Sequence, residues 1–262
     1  MPLPIVVHGA SGRMGRAVLG ALAERADVRA VAALVRLGSA LDGQAIACAP
    51  DARASGLAHA SALPDGIAAC ALIDFSSAAA FDGALGLAVR RRIAFVSGTT
   101  GLDSAQRAAL DRAASTIPVL WSANFSLGVA LLSQLVAEAA RALPDWDCEI
   151  AEAHHSRKQD APSGTALALA REVAAARDQD FDAVAELRRN TPRAAGSIGF
   201  AVTRAGDIVG EHRVLFATAG ERVELIHRAT DRMIFARGAV AAACWLAGRP
   251  PGRHALADVL RT

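Results

Sequence analysis

The chain has a single lysine. Of its 28 lysines and arginines only Lys158 is lysine, and arginine supplies every other permanent cation. The two are not equivalent. A guanidinium stays protonated at any pH a protein meets, whereas an ammonium can shift its pKa and pass a proton. In an alanine-rich chain where lysine has drifted to arginine elsewhere, the retained one marks a candidate proton donor or point-charge anchor. Cysteine is also scarce. Cys48, Cys70, Cys148 and Cys244 are scattered without C-x-x-C spacing. That argues against zinc and a disulfide framework and suits a reducing cytoplasm, with most of the four acting as small buried hydrophobes. No apolar run reaches bilayer-spanning length, and no charged leader precedes the first strand, so neither membrane nor secretion is expected. The formal net charge is only +2. The basic triplet Arg90-Arg91-Arg92 follows a helical pattern, so nucleic acid is not an expected partner.

What is present divides the chain in two. Its first half alternates apolar runs with segments of helical period. Strands are predicted at 4–8, 28–35, 71–75, 93–97 and 119–123, with helices at 13–25, 77–90 and 104–116. Such alternation predicts a Rossmann-type α/β domain, a doubly wound parallel sheet with helices on both faces. After Phe125 the texture changes. A helix at 127–143, a strand at 149–154 and a helix from Ser163 to about Ala176 lead to a polar stretch, 178–193, read as loop or exposed helix. Three strand-like runs follow, 198–204, 212–217 and 223–228. Gly-containing turns join them, which predicts an antiparallel meander. The expectation is a second α+β domain with a mixed or antiparallel open sheet, over residues 126–234. The last helix, 235–246, and the tail to 262 are expected to pack back on the first domain, 1–125.

Strand Ile5–His8 runs directly into Gly9-Ala10-Ser11-Gly12-Arg13-Met14-Gly15 and then a helix. Glycines allow a tight turn and close approach to a pyrophosphate, and the helix start offers N–H groups at the positive end of its dipole. The spacing is G-x-x-G-x-x-G, since Ala10 stands where the dinucleotide fingerprint has glycine. An NAD-specific site places a carboxylate about 20 residues further on, to hold the ribose 2′-hydroxyl. Here that place is Val35, followed by Arg36. Valine makes no such bond, and Arg36 can pair with a 2′-phosphate, so NADPH is favoured over NADH. Gly98-Thr99-Thr100-Gly101 and Ala123-Asn124-Phe125-Ser126 end two further strands, on the edge where open α/β sheets bind ligands.

Lys158 lies in E-A-H-H-S-R-K-Q-D-A-P-S-G-T, residues 152–165. Titratable groups clustered beside a turn are where sites are usually built. His154 and His155 precede the lysine. Asp160 either orients the cationic cluster or is a solvated loop acid. Ser163 is placed to cap the next helix, whose opening residues Gly164 and Thr165 make an anion site by geometry. Adjacent histidines on a strand point to opposite faces, so no metal is expected. His8, His59, His212, His227 and His254 are assigned no role.

With G-A-S-G-R-M-G, V-S-G-T-T-G, A-N-F-S-L-G-V, the His-His-x-x-Lys stretch with Pro-Ser-Gly-Thr, and G-F-A-V-T-R-A-G-D-I-V-G-E-H in order, the sequence resembles the 4-hydroxy-tetrahydrodipicolinate reductase (dihydrodipicolinate reductase) family. The resemblance implies hydride transfer from NADPH or NADH to a cyclic imine-type dicarboxylate. It also implies a homotetramer built through the second domain's sheet. It makes His154 and Lys158 the proton-donating pair and His155 a substrate contact, and it makes Ser163, Gly164 and Thr165 a carboxylate-binding turn. Gly9, Ala10, Ser11, Gly12, Arg13, Met14, Gly98, Thr99, Thr100, Ser122, Ala123, Asn124 and Phe125 become cofactor contacts. Two departures stand out. The family often has an acid where Val35 sits, and an Arg and a Pro common after Phe75 are missing.

Two rivals remain. A semialdehyde dehydrogenase needs a nucleophilic cysteine near a strand end, and Cys148 is the best placed. A regulatory NADP-binding protein without catalysis would keep the glycine loop but has no use for His154, His155 and Lys158 together.

Overall fold

The computed structural model describes residues 1–46, 56–187 and 192–261. Cys48, and positions 188–191 of the polar stretch, lie outside them. Contacts divide the chain into two compact units, Met1–Leu127 with Met233–Thr262, and Gly128–Arg232.

The first unit is built on a seven-stranded parallel sheet. Its strands are β1 (Leu3–His8), β2 (Val28–Leu34), β3 (His59–Ala60), β4 (Ala71–Asp74), β5 (Ala94–Ser97), β6 (Pro118–Trp121) and β12 (Gly252–His254), in the order β12-β6-β5-β4-β1-β2-β3. Parallel pairing runs throughout. The strands are apolar on both faces because both are covered. Val6, Ala32, Leu72, Phe95 and Val119 pack with α2 (Ala78–Arg91) and α3 (Ser104–Ala113). The alternate residues Ile5, Val7, Ile73, Val96 and Leu120 are equally buried and point the other way. There α1 (Arg13–Ala23) packs on α7 (Met233–Leu246), which lies against β4, β5 and β6. β12 pairs with β6, so the tail completes this sheet. Strand order reverses between β1 and β4, which makes their C-terminal ends the switch-point crevice of an open sheet.

The second unit pairs α4 (Leu127–Ala142) and α5 (Gly164–Ala176) with a five-stranded sheet. Its strands are β7 (Asp147–His154), β8 (Ala185–Glu186), β9 (Ile198–Arg204), β10 (Gly210–Thr218) and β11 (Glu221–Ala229), in the order β11-β10-β7-β9-β8. The predicted meander is corrected here. Only β10 and β11 form a hairpin, while β9 runs parallel to β7 and never meets β10. The reason lies at the end of β7. Ala205 N–H bonds to His154 O at 2.9 Å and Ser156 N–H to Gly206 O at 3.2 Å. The glycine turn therefore carries the chain over β7 instead of folding it back. Among its described residues the polar stretch 178–193 holds a one-turn helix, α6 (Phe181–Val184), and the short β8. Leu132, Val136, Leu169 and Val173 from the helices bury Cys148, Ile150, Val214 and Phe216 of the sheet.

Close packing fixes one glycine on α7. A Cβ on Gly238 would sit 1.8 Å from the Phe125 carbonyl oxygen. Gly238→Ala is expected to cost about 2–3 kcal/mol by denaturant titration. Gly83→Ala on α2, where a Cβ meets nothing within 4 Å, is expected to be neutral or stabilising by up to about 1 kcal/mol.

Candidate functional site

In the first unit the glycine loop sits at the switch-point crevice. Gly9 takes a left-handed φ of +76°, and a Cβ there would lie 2.5 Å from Phe75 O. A Cβ on Gly15 would fall 2.2 Å from Gly9 O. These two glycines are demanded by the chain's own backbone. Gly12 is the N-cap of α1, and having no side chain it makes no cap bond, so the N–H groups of the first turn are left open to a ligand.

One carboxylate holds this edge together. Asp74, fully buried at the end of β4, accepts from His8 Nδ1 at 2.8 Å and Ser76 N at 3.2 Å on one oxygen. On the other it accepts from Ser97 Oγ at 2.8 Å and Thr99 Oγ1 at 2.7 Å. Burial pushes its pKa up. Hydrogen bonds from His8, Ser76 and Thr99 outweigh that and hold it below the usual carboxylate range. Thr99 is thus spent internally. Its hydroxyl also accepts from Ser76 N, and its carbonyl accepts from Trp121 Nε1. Gly98 packs under Phe75, whose ring would be 2.1 Å from an added Cβ. Thr100 is exposed. Ser122 Oγ donates to Asn124 O at 2.7 Å and accepts from Asn124 N, while Asn124 Oδ1 accepts from Ser126 N at 2.9 Å. Phe125 is buried edge-on to Phe75, with ring centroids 5.6 Å apart. Arg36 is exposed beyond β2. A cavity of about 580 Å³ runs along α2, bordered by His8, Leu34, Leu63, Leu87, Arg90 and Arg91.

In the second unit, β7 alternation puts Glu152 and His154 on the face that carries the helices. Glu152 is buried and accepts His154 Nδ1–H at 2.5 Å. Arg204, in register with His154 across β9, reaches both Glu152 oxygens at 2.8 Å. Ser163 N–H donates to Glu152 at 3.0 Å. Burial raises the pKa of Glu152. Bonds from Arg204, His154 and Ser163 reverse this and lower it. Ser163 caps α5 by accepting from Ala166 N at 3.2 Å, and its hydroxyl lies 3.1 Å from His212 Nε2. His212 stands edge-on to His154 at 5.2 Å. Burial, then the neighbouring His154, pushes its pKa down to about 4, so His212 is neutral near pH 7.

Lys158 Nζ lies 2.8 Å from Asp160 Oδ1, so Asp160 does orient the ammonium. The Lys158 hydrogen bond lowers the pKa of Asp160, against burial. The Asp160 carbonyl accepts from Arg204 at 2.5 Å. His155 accepts the Lys158 backbone N–H at its carbonyl. Its ring pKa is lowered by burial, then by Arg232 and Arg157. Gly164 opens α5, and a Cβ there would meet nothing within 4 Å.

Stretch 152–165 therefore assembles as one cluster. Sequence reasoning missed Glu152, Arg204 and His212 here, and Asp74 with His8 in the first unit. Only Glu152 carried a signal, being two residues before His154 on a strand. Cys148 is fully buried with its thiol pushed up to about 12 by burial. Such a thiol is no nucleophile, and the semialdehyde dehydrogenase reading is set aside.

A family model described as "Dihydrodipicolinate reductase, N-terminus" matches residues 3–125, and one described as "Dihydrodipicolinate reductase, C-terminus" matches residues 128–260. The chain is 47% identical over 260 residues to the 4-hydroxy-tetrahydrodipicolinate reductase of Stenotrophomonas maltophilia (strain K279a), covering 99% of this chain and 98% of the relative. To the protein of the same name from Xanthomonas campestris pv. campestris (strain B100) it is 48% identical over 259 residues, with the same coverage. Among solved structures, dipicolinate-bound dihydrodipicolinate reductase from Paenisporosarcina sp. TG-14 superposes with a TM-score of 0.79 at 20% identity, over 97% of this chain and 98% of that one. At that identity the match speaks for the fold.

Asp74→Asn is expected to lower stability by about 2 kcal/mol, because an amide cannot accept from four donors. The pH dependence has a definite sign. The folded pKa of Asp74 lies below the unfolded value of about 4. Its stabilisation is complete above that value and is lost as pH falls toward the folded one. Denaturant titrations should show the gap between parent and variant narrowing in acid.

Proposed function

Because the chain belongs to the dihydrodipicolinate reductase family, we propose that it reduces the cyclic dicarboxylate 4-hydroxy-tetrahydrodipicolinate, or its dehydrated form, to tetrahydrodipicolinate in lysine and diaminopimelate biosynthesis. The observation that carries this reading is the cluster within 152–165. A hydrogen-bonded imidazole, an ion-paired ammonium and the Ser163-capped start of α5 share one short stretch. The substrate is a dianion. Lys158 and the positive end of α5 at Gly164 and Thr165, with His155 beside them, supply the countercharge without a metal. A proton must follow the hydride. His154 keeps one proton at Nδ1 for Glu152 and leaves Nε2 as its transfer atom, and Lys158 Nζ is the second donor.

A reduced nicotinamide supplies the hydride when bound. The residues of the first unit fit such a group. The uncapped start of α1 at Gly12, Arg13 and Met14 suits a pyrophosphate, with Gly9, Ala10 and Ser11 shaping the approach. The cavity along α2 suits the adenosine. Gly98 to Thr100 and Ser122 to Phe125 line the same strand edge as backbone contacts. Val35 is buried and apolar while Arg36 is exposed, which favours NADPH over NADH. A homotetramer through the second sheet is supported by Ala201, Thr203 and Ile226, exposed on the side away from α4 and α5. Free Cys70, Cys148 and Cys244 favour a cytoplasmic setting. No helix among the described residues is long and apolar enough to cross a membrane. A non-catalytic NADP sensor leaves the Lys158 cluster without a use.

The first test follows reduced-nicotinamide absorbance with freshly generated hydroxy-tetrahydrodipicolinate, NADPH and NADH in parallel. Rapid oxidation of either is expected, faster per molar NADPH. No oxidation by folded, cofactor-binding protein would sink the reading. Lys158→Arg is expected to lower kcat by ~10²–10⁴-fold with NADPH affinity unchanged. Arg36→Ala is expected to raise the NADPH Kd about tenfold and leave NADH alone.

A further inference from the structure

Glu152 has four donors and two oxygens, and their division is specific. Oε2 takes His154 Nδ1–H and Arg204 Nη1. Oε1 takes Ser163 N–H and Arg204 Nη2. The proton donor thus hangs from one oxygen and the start of α5 from the other, with Arg204 bridging both. We propose that Glu152, braced by Arg204, is the positioning residue that keeps the His154 acid and the carboxylate-binding helix start in register. This rests on the reductase reading.

The chemistry of the group supports the assignment. A buried carboxylate is retained only when paired and fully hydrogen-bonded, and here the three donor residues come from three different pieces of chain. Glu152 and His154 come from β7, Arg204 from β9 and Ser163 from the N-cap of α5. His212, opposite Glu152 on β10, closes the cluster through the Ser163 hydroxyl. By accepting at Nδ1, Glu152 selects the tautomer whose Nε2 is the free nitrogen. That nitrogen has room by design of the neighbouring strand, since a Cβ on Gly210 would crowd it at 3.1 Å. Glu152 touches neither substrate nor cofactor in this scheme and acts through the two groups it holds.

Glu152→Gln exposes the double role. An amide has one acceptor oxygen and one donor nitrogen, so it can serve His154 or Ser163 but not both. With nitrogen toward Ser163, the helix start loses its anchor and binding of the dianion suffers. With nitrogen toward His154, the imidazole must move its proton to Nε2 and turnover suffers. The experiment measures three quantities on parent, Glu152→Gln and Arg204→Lys. They are the nitrogen chemical shifts of the His154 ring, the Kd for pyridine-2,6-dicarboxylate, and kcat with the reducible ring.

The parent should show an Nδ1–H tautomer when neutral. Glu152→Gln should lose about tenfold or more in Kd, or in kcat together with the tautomer. Arg204→Lys keeps the charge without the fork, should fold like the parent, and should weaken both functions to a smaller degree. A parent Nε2–H tautomer would overturn the proposal, as would a Glu152→Gln protein matching the parent in all three readouts. Loss of fold in Glu152→Gln leaves the decision to Arg204→Lys and the parent tautomer. A parent that neither binds the dianion nor reduces the ring would overturn the reductase reading, and this inference with it.

Discussion

Among the described residues each unit takes one carboxylate wholly out of water, and the local geometry around each follows from satisfying it. Burying an unpaired carboxylate costs several kcal/mol, so its partners must be brought in and held. Asp74 draws His8, Ser97, Thr99 and the Ser76 amide onto itself, which pins the ends of three neighbouring strands. Glu152 draws in Arg204, His154 and the Ser163 amide, which pins two strands and a helix start. In both cases the bonded groups border the loops of the candidate site. Order at these edges comes from buried charge as much as from apolar packing.

The glycine motif has an internal reason to exist. Gly9 and Gly15 are excluded from bearing a side chain by Phe75 O and by Gly9 O, and Gly98 by the Phe75 ring. The winding of the loop against the neighbouring strand end is set by the chain's own backbone. Gly12 differs, since a Cβ there would meet Gly9 O at the less severe distance of 3.2 Å. Its contribution is to leave the helix start bare.

How much was legible in the sequence depended on range. The parallel sheet was readable because its strands are continuous apolar runs separated by helical periods. β3 and β12, at two and three residues, are too short to carry a period. The second sheet was misread where pairing skips a neighbour in sequence, for nothing local tells β9 to pass β10 and lie beside β7. Within the site, stretch 152–165 was readable as a cluster, because its members are close along the chain. Its supports were not. Arg204 lies 52 residues from Glu152, His212 lies 49 from Ser163, and Asp74 lies 66 from His8. A lone histidine on a strand gives no hint of its partner at such separations, and only strand register supplies it.

The lone ammonium also has a use outside the reaction. Apart from the amino terminus, Lys158 is the one primary amine in the chain. Its side chain keeps 22% of its exposure beside Asp160. An amine-selective reagent therefore has a single side-chain target, and that target stands in the candidate site. Labelling stoichiometry would count sites directly by mass. Protection from the label would report what fills them, with no background from lysines elsewhere.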